Sequence, residues 1–288
     1  MLEGLVLIDK QQGWTSHDVV AKLRGILGTR KIGHAGTLDP MATGLLVLGV
    51  NSGTKLLQFI SGSNKQYVAT IRLGQATHTD DAEGQVVFES DASQISAEQV
   101  DQELAKLTGE ISQTPSAVSA IKVDGRRAYD LVREGKEVSL SSRQVTVSKF
   151  ERTSPISNQG KCIDFDVMVD CSSGTYIRAL ARDIGSNLGV GGHLTMLRRT
   201  KIDGFDVEQA SALDGEIQVL DLKDSALRLF EALDLDHGQA QDVVHGKRLN
   251  VEKSALTACI WQDKLLAIME PKGDQLKSMV VFPEVFNA

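Results

Sequence analysis

The sequence predicts an α+β fold with a largely antiparallel mixed sheet, followed by a small β-rich C-terminal domain. Strand-like and helix-like segments are interspersed without a regular βαβ repeat, which favours antiparallel pairing over a parallel sheet. The 288 residues are enough for one large domain and a small appendage. Beyond about residue 205 the chain becomes acidic, and its last part carries short apolar segments typical of strands. We therefore expect one domain over 1–230 and a second over 231–288.

In the first part of the chain, strand and helix patterns surround one glycine-rich segment. A short strand is predicted over 4–9, and Ser16 is the expected N-cap of a helix whose apolar residues share one face. Residues 33–44, GHAGTLDPMATG, are expected to form a loop, because they hold three glycines and a proline. That loop leads into LLVLGV, a predicted buried strand over 45–50. The later elements predicted here are a short helix over 54–60 and an alternating strand over 66–73.

The middle and end of the chain continue this mixture. A polar loop over 75–84 is expected to precede the strand VVFES, and a second polar segment over 122–137 is basic and contains the helical pattern AYDLVRE. The helices predicted in this part cover 97–107, 176–188 and, weakly, 225–233. The predicted strands cover 143–150, 162–170, 256–261, 264–269 and 278–282.

Composition and motifs exclude several classes of protein. No apolar run approaches the roughly 18 residues of a membrane-spanning helix, and the N-terminus lacks the pattern of a signal peptide. Three cysteines and six histidines show no zinc-binding spacing, and Asp80 and Asp81 lack a third ligand nearby. The nucleotide-binding glycine motifs are absent as well. We expect a cytoplasmic protein that uses neither a metal nor a cofactor.

The charge distribution keeps a nucleic-acid partner open. The net charge of −7 alone argues against such a partner. However, residues 1–73 carry a net +4 and residues 111–150 a net +3, whereas 74–110 carry −8 and 205–288 carry −7. A local phosphate-binding surface on the basic stretches and a mere scatter of surface charge are both compatible with this pattern.

The segment around Asp39 is the first candidate for chemistry. Proline biases the residue before it towards extended backbone, so Pro40 stiffens the position of Asp39. Glycines at 33, 36 and 44 would let the backbone approach a ligand closely. A carboxylate fixed in this way suits a nucleophile or a general base. From the residues alone, a structural Asp-Pro turn remains an open interpretation.

Basic and aromatic side chains are the next candidates. Arg178 and Arg182 lie four residues apart on one face of a predicted helix, and an arginine near Asp39 would hold that carboxylate ionised through a bidentate pair. Tyr67, at a strand start beside Lys65, is typical of an exposed residue that stacks a base while the lysine neutralises a phosphate. Solvent-facing arginines and a half-buried tyrosine are the alternatives, and a lone histidine such as His34 either contacts RNA or caps a loop.

These segments together resemble the bacterial tRNA pseudouridine-55 synthases, the TruB family. The resemblance runs over about residues 1–210, and the C-terminal region is similar, more weakly, to the PUA-like domains of such enzymes. Four motifs carry it in order: GHAGTLDPMATGLL at 33–46, NKQYVATIRLGQATHTDDAEG at 64–84, SAIKVDGRRAYDLVREGKEV at 119–138 and CSSGTYIRALARDIGSNLGVGGHLTMLRRTKIDGF at 171–205.

The resemblance implies a pseudouridine synthase fold and a role for each matching residue. Asp39 falls on the catalytic aspartate and Arg178 on its ion-pair partner, while about 111–143 corresponds to an RNA-clamping insertion. The residues implied to contact the substrate are His34, which would intrude into the T loop, Tyr67 as the platform under the uracil, Asp81, Tyr176 and Leu197. Basic residues expected to contact RNA phosphates are Lys65, Lys122, Arg126 and Arg127.

The implied reaction isomerises uridine 55 in the T loop of tRNA to pseudouridine. The N1–C1′ bond breaks, the detached uracil rotates, and the ring rejoins the sugar through C5, without a cofactor. Because the target base is stacked, the enzyme must first flip it out. Asp39 either attacks C1′ or removes the 2′ proton, and both routes stay open. We expect tRNA as the partner of a monomer that needs no protein partner.

Three alternatives remain open on the sequence. A guide-RNA-dependent rRNA pseudouridine synthase would keep the chemistry and change the substrate. A tRNA-folding chaperone would not need Asp39, and this role is compatible with an enzymatic one. A retaining glycosidase requires a second nearby carboxylate as an acid, and no motif supplies such a partner for Asp39.

Overall fold

The structure, a computed structural model, describes residues 2–118, 122–123, 126–127 and 140–286. The two shortest stretches are described through their backbone, which forms an antiparallel hairpin. The predicted helical core AYDLVRE and the side chains of Lys122, Arg126 and Arg127 therefore lie outside the described residues.

The described residues form six α-helices, and β-strands occur along the whole chain. The strands are β1 (Gly4–Lys10), β2 (Ile32–Ala35), β3 (Thr43–Val50), β4 (Lys65–Leu73), β5 (Gln75–Thr77), β6 (Val86–Glu89), β7 (Gly109–Gln113), β8 (Lys122–Val123), β9 (Arg126–Arg127), β10 (Arg143–Arg152), β11 (Ser157–Gln159), β12 (Cys162–Cys171), β13 (Gly192–Ile202), β14 (Phe205–Asp206), β15 (Glu231–Asp234), β16 (Thr257–Trp261), β17 (Lys264–Lys272) and β18 (Gln275–Val281). The helices are α1 (Ser16–Leu27), α2 (Leu57–Ser61), α3 (Ala97–Lys106), α4 (Ile177–Asn187), α5 (Leu222–Leu227) and α6 (His237–Val244). None of these helices is long and apolar enough to cross a membrane.

One large sheet organises the molecule. Its strand order is β1-β3-β13-β4-β12-β10-β7, with β2, β11 and β14 paired at its margins. Among the described residues, every pairing in this sheet is antiparallel except that of β13 with β3, which joins Arg198 to Thr43 and Arg199 to Gly44. The largely antiparallel mixed sheet predicted from the sequence is therefore confirmed.

The unbroken apolar run of β3 follows from its burial on both faces. Leu46 and Leu48 pack with Val19 and Leu23 of α1 on one face. Leu45, on the other face, joins a core that includes residues of the C-terminal sheet. The strand therefore cannot show the polar–apolar alternation of a half-exposed strand such as β4.

Four local predictions need correction. Thr15, rather than Ser16, is the N-cap of α1, because its hydroxyl accepts from the N–H of Asp18 in a capping box. The glycine-rich loop is shorter than 33–44, since β2 pairs with β3 up to Ala35. The predicted helix over 225–233 is split between α5 and β15. No strand is predicted from the sequence for β13, which lies in the middle of the sheet.

The C-terminal region forms a second sheet, in the order β15-β16-β17-β18. This confirms the small β-rich C-terminal domain. The first strand of the second sheet begins at Glu231, yet Ile260, Leu265 and Phe282 pack in one hydrophobic cluster with Leu5 of the large sheet. The division into 1–230 and 231–288 stays a prediction, because a shared core runs across it.

Candidate active site

The loop that carries Asp39 is fixed from both sides by the N-terminal segment. The Ser16 hydroxyl accepts from the N–H of Leu38 at 2.9 Å and donates to its carbonyl at 3.2 Å. The carbonyl of Pro40 accepts from the N–H of Gly13 at 2.9 Å and from the buried Nζ of Lys10 at 3.3 Å. The residues before and after Asp39 are therefore held in place, which orders the carboxylate in advance of any ligand.

Asp39 and Arg178 come together although they lie far apart in the sequence. Arg178 stands in the first turn of α4, and its Nη2 lies 3.0 Å from Oδ2 of Asp39. The Arg178 side chain is 5% exposed, whereas that of Asp39 is 41% exposed. The guanidinium thus lies behind the carboxylate, and the carboxylate is the member of the pair that a substrate can reach.

The sequence predicts a bidentate ion pair between Arg178 and Asp39. In the structure, the Arg178 guanidinium is shared between Asp39 and Asp81 instead. Nη1 of Arg178 lies 3.4 Å from Oδ2 of Asp81 and donates to the carbonyl of Thr79 at 2.8 Å. Nη2 also donates to the carbonyl of Val118 at 3.0 Å. Two carboxylates and two carbonyls therefore fix the guanidinium, which limits its freedom to follow either acid.

Asp81 is placed behind this pair rather than on the surface that a ligand would meet. Its side chain is 4% exposed, and one oxygen accepts from the hydroxyl of Thr79 and from the N–H of Glu83. Of the described residues, those that line the pocket beside Asp39 do not include Asp81. The substrate contact that the resemblance implies for Asp81 has no counterpart in this arrangement, because the carboxylate faces Arg178.

A pocket of about 300 Å³ opens beside Asp39. Its wall combines the Asp39 loop, the start of α4 and the adjacent strands β4 and β13. The sequence-predicted residues that line it are Asp39, Lys65, Tyr67, Tyr176, Arg178 and Leu197. The structure therefore brings six of the predicted residues to one cavity.

Tyr67 and Leu197 form the apolar part of this wall. Tyr67 lies on β4 and is 8% exposed, while Leu197 lies on the adjacent β13 and is also buried. Of the two interpretations that the sequence leaves open for Tyr67, an exposed stacking residue and a half-buried one, the structure excludes the exposed one. Lys65 is buried, and its Nζ donates to the carbonyls of Ser61 and Ser63 at 3.2 and 2.6 Å.

Tyr176 is the N-cap of α4 and is held by Gln113. The N–H of Tyr176 donates to Oε1 of Gln113 at 2.8 Å, and Nε2 of Gln113 donates back to its carbonyl at 3.0 Å. The guanidinium of Arg143 lies over the Tyr176 ring, 4.8 Å from its centroid. These contacts fix the ring in the wall of the pocket.

His34 lies outside the pocket lining among the described residues. It is half-buried on β2, and its ring meets the ring of His17 edge-on at 5.7 Å. Within the described part of the chain, its buried Nδ1 has no hydrogen-bond partner. Burial lowers the pKa of His34, and the charges of His17 and Arg199 lower it further. The imidazole is therefore held towards its neutral form.

Three other titratable groups near Asp39 are also perturbed. Burial lowers the pKa of Lys10 to about 8, and burial together with the charge of Arg199 lowers the pKa of Lys65 to about 8. Partial burial and the negative charges of Asp81 and Asp39 raise the pKa of Glu83. Burial and neighbouring charges therefore shift the pKa values of several groups around the site.

Several contributors are missing from the sequence-predicted set. Lys10 and Ser16 position the Asp39 loop, and Gln113 positions Tyr176. Arg199 lines the pocket floor. Of these, Arg199 alone leaves a signal in the sequence, because it lies two positions after Leu197 and shares its face of a strand. Recognising that signal requires knowing that 192–202 is a strand.

Gly44 serves the packing of strands rather than the approach of a ligand. Its φ is +98°, and a Cβ built there would lie 2.2 Å from the carbonyl oxygen of Arg199. The absence of a side chain lets β3 and β13 pair in parallel beside the pocket. Within the residues that the structure describes, no group of three or more metal-ligating side chains is present.

Two family models match the chain. A model of the TruB family pseudouridylate synthase N-terminal domain matches residues 24–177. A model of the tRNA pseudouridylate synthase B C-terminal domain matches residues 178–229. Together the two matches span every residue that lines the pocket beside Asp39.

Curated relatives are similar over nearly the whole chain. The tRNA pseudouridine synthase B of Leifsonia xyli subsp. xyli is 51% identical and covers 97% of this chain and 96% of its own length. The enzyme of the same name from Rhodococcus jostii is 50% identical over 96% of this chain and 93% of its own length. A chain in the crystal structure of a Cbf5-Nop10-Gar1 complex is 25% identical, with a TM-score of 0.70, and the match covers 98% of this chain and 86% of that one. The chain therefore belongs to the TruB family of tRNA pseudouridine synthases, which isomerise uridine to pseudouridine.

Proposed function

We propose that this chain converts uridine 55 in the T loop of tRNA to pseudouridine, with Asp39 as the catalytic carboxylate. The observation that carries the proposal is the 3.0 Å contact between the half-exposed Asp39 and the buried Arg178 at the wall of a pocket. The similarity to enzymes named tRNA pseudouridine synthase B supports tRNA as the substrate.

The geometry suits a reaction at the sugar of one flipped-out nucleotide. Asp39 presents its carboxylate to the pocket, while the guanidinium behind it is fixed by backbone carbonyls and needs no reorganisation during the reaction. Attack on C1′ and removal of the 2′ proton both require a carboxylate in this position. Either route breaks the N1–C1′ bond and leaves the uracil free to turn before C5 joins C1′.

The other pocket residues would hold the nucleoside. Tyr67 is suited to stack under the uracil. Leu197 and Tyr176 form apolar and aromatic parts of the pocket wall around it. His34, half-buried beside the Asp39 loop, would take the space of the flipped base in the T loop. Asp81 would act through Arg178 instead of touching the substrate.

Binding of the T-arm would rest on basic residues outside the pocket. Lys122, Arg126 and Arg127 in the 111–143 insertion are proposed to clamp RNA phosphates, so affinity should fall as salt rises. Lys65 is a weaker candidate for phosphate contact, because its ammonium group already donates to two carbonyls. We further propose a cytoplasmic monomer without a protein partner, with a catalytic domain over 1–230 and a PUA-like domain over 231–288.

The decisive experiment uses a T-arm hairpin without any added protein. Wild-type chain should form pseudouridine in it, and Asp39→Asn should lose turnover while binding the hairpin about as tightly. Asp91→Asn is the matched control, because this exposed carboxylate lies on another part of the surface and should leave the rate unchanged.

Each alternative has its own outcome. Turnover by Asp39→Asn would refute the assignment of the catalytic group. A wild-type chain that modifies the hairpin only with added protein or guide RNA would favour the guide-dependent alternative. Full cellular function of Asp39→Asn would favour the tRNA-folding role, which is compatible with binding that survives the substitution.

A further inference from the structure

A second guanidinium lies at the floor of the pocket, apart from the ion pair of Asp39 and Arg178. Arg199 is 1% exposed, and it donates from Nε to the carbonyl of Leu45 at 2.8 Å and from Nη2 to that of Gly36 at 3.0 Å. Within the described ranges it forms no ion pair with a carboxylate. Burying a cation without a counter-charge is costly. The arrangement therefore favours a ligand that brings negative charge.

The position of Arg199 indicates which part of the ligand it would meet. Arg199 on β13 is the register partner of Tyr67 on β4, and it shares a face of its strand with Leu197. Tyr67 and Leu197 both line the pocket, on the side where the proposed function places the base. Because Arg199 is almost fully buried on the floor, the base reaches it more readily than the RNA backbone, which must enter and leave at the rim.

Lys65 strengthens the positive field at the same place. Its buried ammonium lines the same pocket, and a Cβ built at Gly36 would lie 3.4 Å from Nη1 of Arg199 and 3.6 Å from Cε of Lys65. The two side chains therefore flank one backbone position. Two buried cations that line the same pocket favour a ligand that develops negative charge there.

We propose that Arg199 stabilises the negative charge on the uracil after it separates from the sugar. This inference rests on the proposed function, in which the pocket holds one uridine. When the N1–C1′ bond breaks, its electron pair leaves with the ring, and the charge spreads over N1, O2 and O4. C5 then bonds to C1′ and releases its hydrogen as a proton, while N1 takes up a proton, so the product is an isomer of the substrate.

The test compares two leaving groups in the full-length enzyme. Single-turnover loss of the target nucleoside is measured in T-arm hairpins that contain either uridine or 5-fluorouridine at the target position. Arg199→Gln should slow loss of uridine by about 10²–10³-fold, the usual effect of removing one preorganised donor to a developing anion. Fluorine stabilises the negative charge on the detached ring. The loss of rate that Arg199→Gln causes on 5-fluorouridine should therefore be smaller than its loss of rate on uridine, by roughly tenfold.

Two further variants separate charge stabilisation from folding. Arg198→Gln is the matched control, since Arg198 is the sequence neighbour but pairs with both oxygens of Asp9 at 2.9 and 2.7 Å, outside the pocket. It should keep both rates near the wild-type values. Arg199→Lys retains the positive charge, so it should convert uridine faster than Arg199→Gln does. If Arg199→Gln does not fold, the rates of Arg199→Lys on uridine and 5-fluorouridine are compared instead.

The outcomes are distinguishable. An equal loss of rate on both nucleosides, in whichever Arg199 variant folds, would overturn the inference in favour of a structural role. Weaker hairpin binding with a shallower salt dependence would overturn it in favour of a phosphate contact. If wild-type enzyme converts neither hairpin, the proposed function itself fails. If wild type converts both and the leaving-group effect is missing, only the role of Arg199 is wrong.

Discussion

Asp81 is buried beside Arg178 and contacts the guanidinium nitrogen that does not face Asp39. Asp81→Asn keeps an oxygen that can accept from the N–H of Glu83 but removes the charge that holds Nη1. We expect the rate of pseudouridine formation to fall by about 10–100-fold, because small displacements of a catalytic pair are costly. The free energy of unfolding, measured in urea, should fall by about 3 kcal/mol, since one partner of a buried pair is removed.

Asp80→Asn is the control for this prediction. Asp80 is the sequence neighbour, lies 3.4 Å from Arg182, and tolerates Asn at its positive φ. It should leave the single-turnover rate close to that of wild type. A wild-type rate in Asp81→Asn would show that Arg178 does not need its second carboxylate.

Lys10 gives a prediction for pH dependence. Burial lowers its pKa from 10.5 to about 8. Below pH 8 the ammonium is charged in both the folded and the unfolded chain, so the full penalty for burying it is present. Between the two pKa values the unfolded chain binds more protons than the folded chain, and stability therefore rises with pH.

Lys10→Met should remove this rise. Between about pH 8 and 9.5, the free energy of unfolding should climb less steeply in the variant, by up to about 1.4 kcal/mol per pH unit. Urea denaturation across this range measures both slopes. Lys65 has a similarly lowered pKa but is present in both proteins, so its contribution cancels in the comparison. Parallel pH profiles would contradict the assignment of the low pKa to Lys10.

At the scale of elements, the site depends on the parallel pairing of β3 with β13. That pairing brings Arg199 next to Gly44, where no side chain fits. Gly44→Ala places a methyl group against the Arg199 backbone at a φ that L-residues avoid. We expect the free energy of unfolding to fall by more than about 3 kcal/mol, since both the clash and the backbone strain must be relieved.

Gly25→Ala is the matched control for Gly44→Ala. Gly25 lies inside α1, and a Cβ built there would meet no atom of the described residues within 4 Å. Alanine favours helix over glycine, so this variant should gain about 0.5–1 kcal/mol in urea denaturation. Similar stabilities for the two variants would mean that β13 moves aside freely, and the pocket floor would then be less rigid than the structure indicates.

The elements also show what can be predicted from a sequence. The strands β4 and β12 and the helices α3 and α4 follow from hydrophobic periodicity, because each buries one regular face. β13 carries Arg198, Arg199 and Lys201, and two irregularities in its pairing with β4 interrupt the alternation. A buried arginine in such a strand looks like a surface residue, so neither the strand nor its role can be predicted from the local pattern.

In the candidate site, too, some features can be predicted from the sequence and others cannot. Motif resemblance alone assigns Asp39, Tyr67 and Arg178 to one active site, and the fold brings them together at one pocket. Resemblance says nothing of the fact that Asp81 shares the guanidinium or that Lys65 is buried. Those features depend on which side chains meet across loops and strands, and local sequence patterns do not encode such distances.

At the scale of the whole molecule, the two sheets share a hydrophobic core. Leu5 and Leu45 of the large sheet belong to the same cluster as Ile260, Leu265 and Phe282 of the C-terminal region. Phe282 is fully buried, and its ring lies under Nζ of Lys55 at 4.7 Å from the centroid. A C-terminal domain joined in this way should contribute to the stability of the catalytic domain, whether or not it touches tRNA.

This shared core predicts that the chain unfolds in one transition. Its two tryptophans report on the two sheets separately, because Trp14 packs beside α1 and Trp261 ends β16. In Trp14→Phe and Trp261→Phe backgrounds, fluorescence in urea should give coincident curves, and Phe282→Ala should shift both by about 3–5 kcal/mol. Met279→Ala, at an exposed position on β18, should shift neither by more than about 0.5 kcal/mol. Separate transitions, with only the Trp261 curve moved by Phe282→Ala, would instead make 231–288 an independently folding unit.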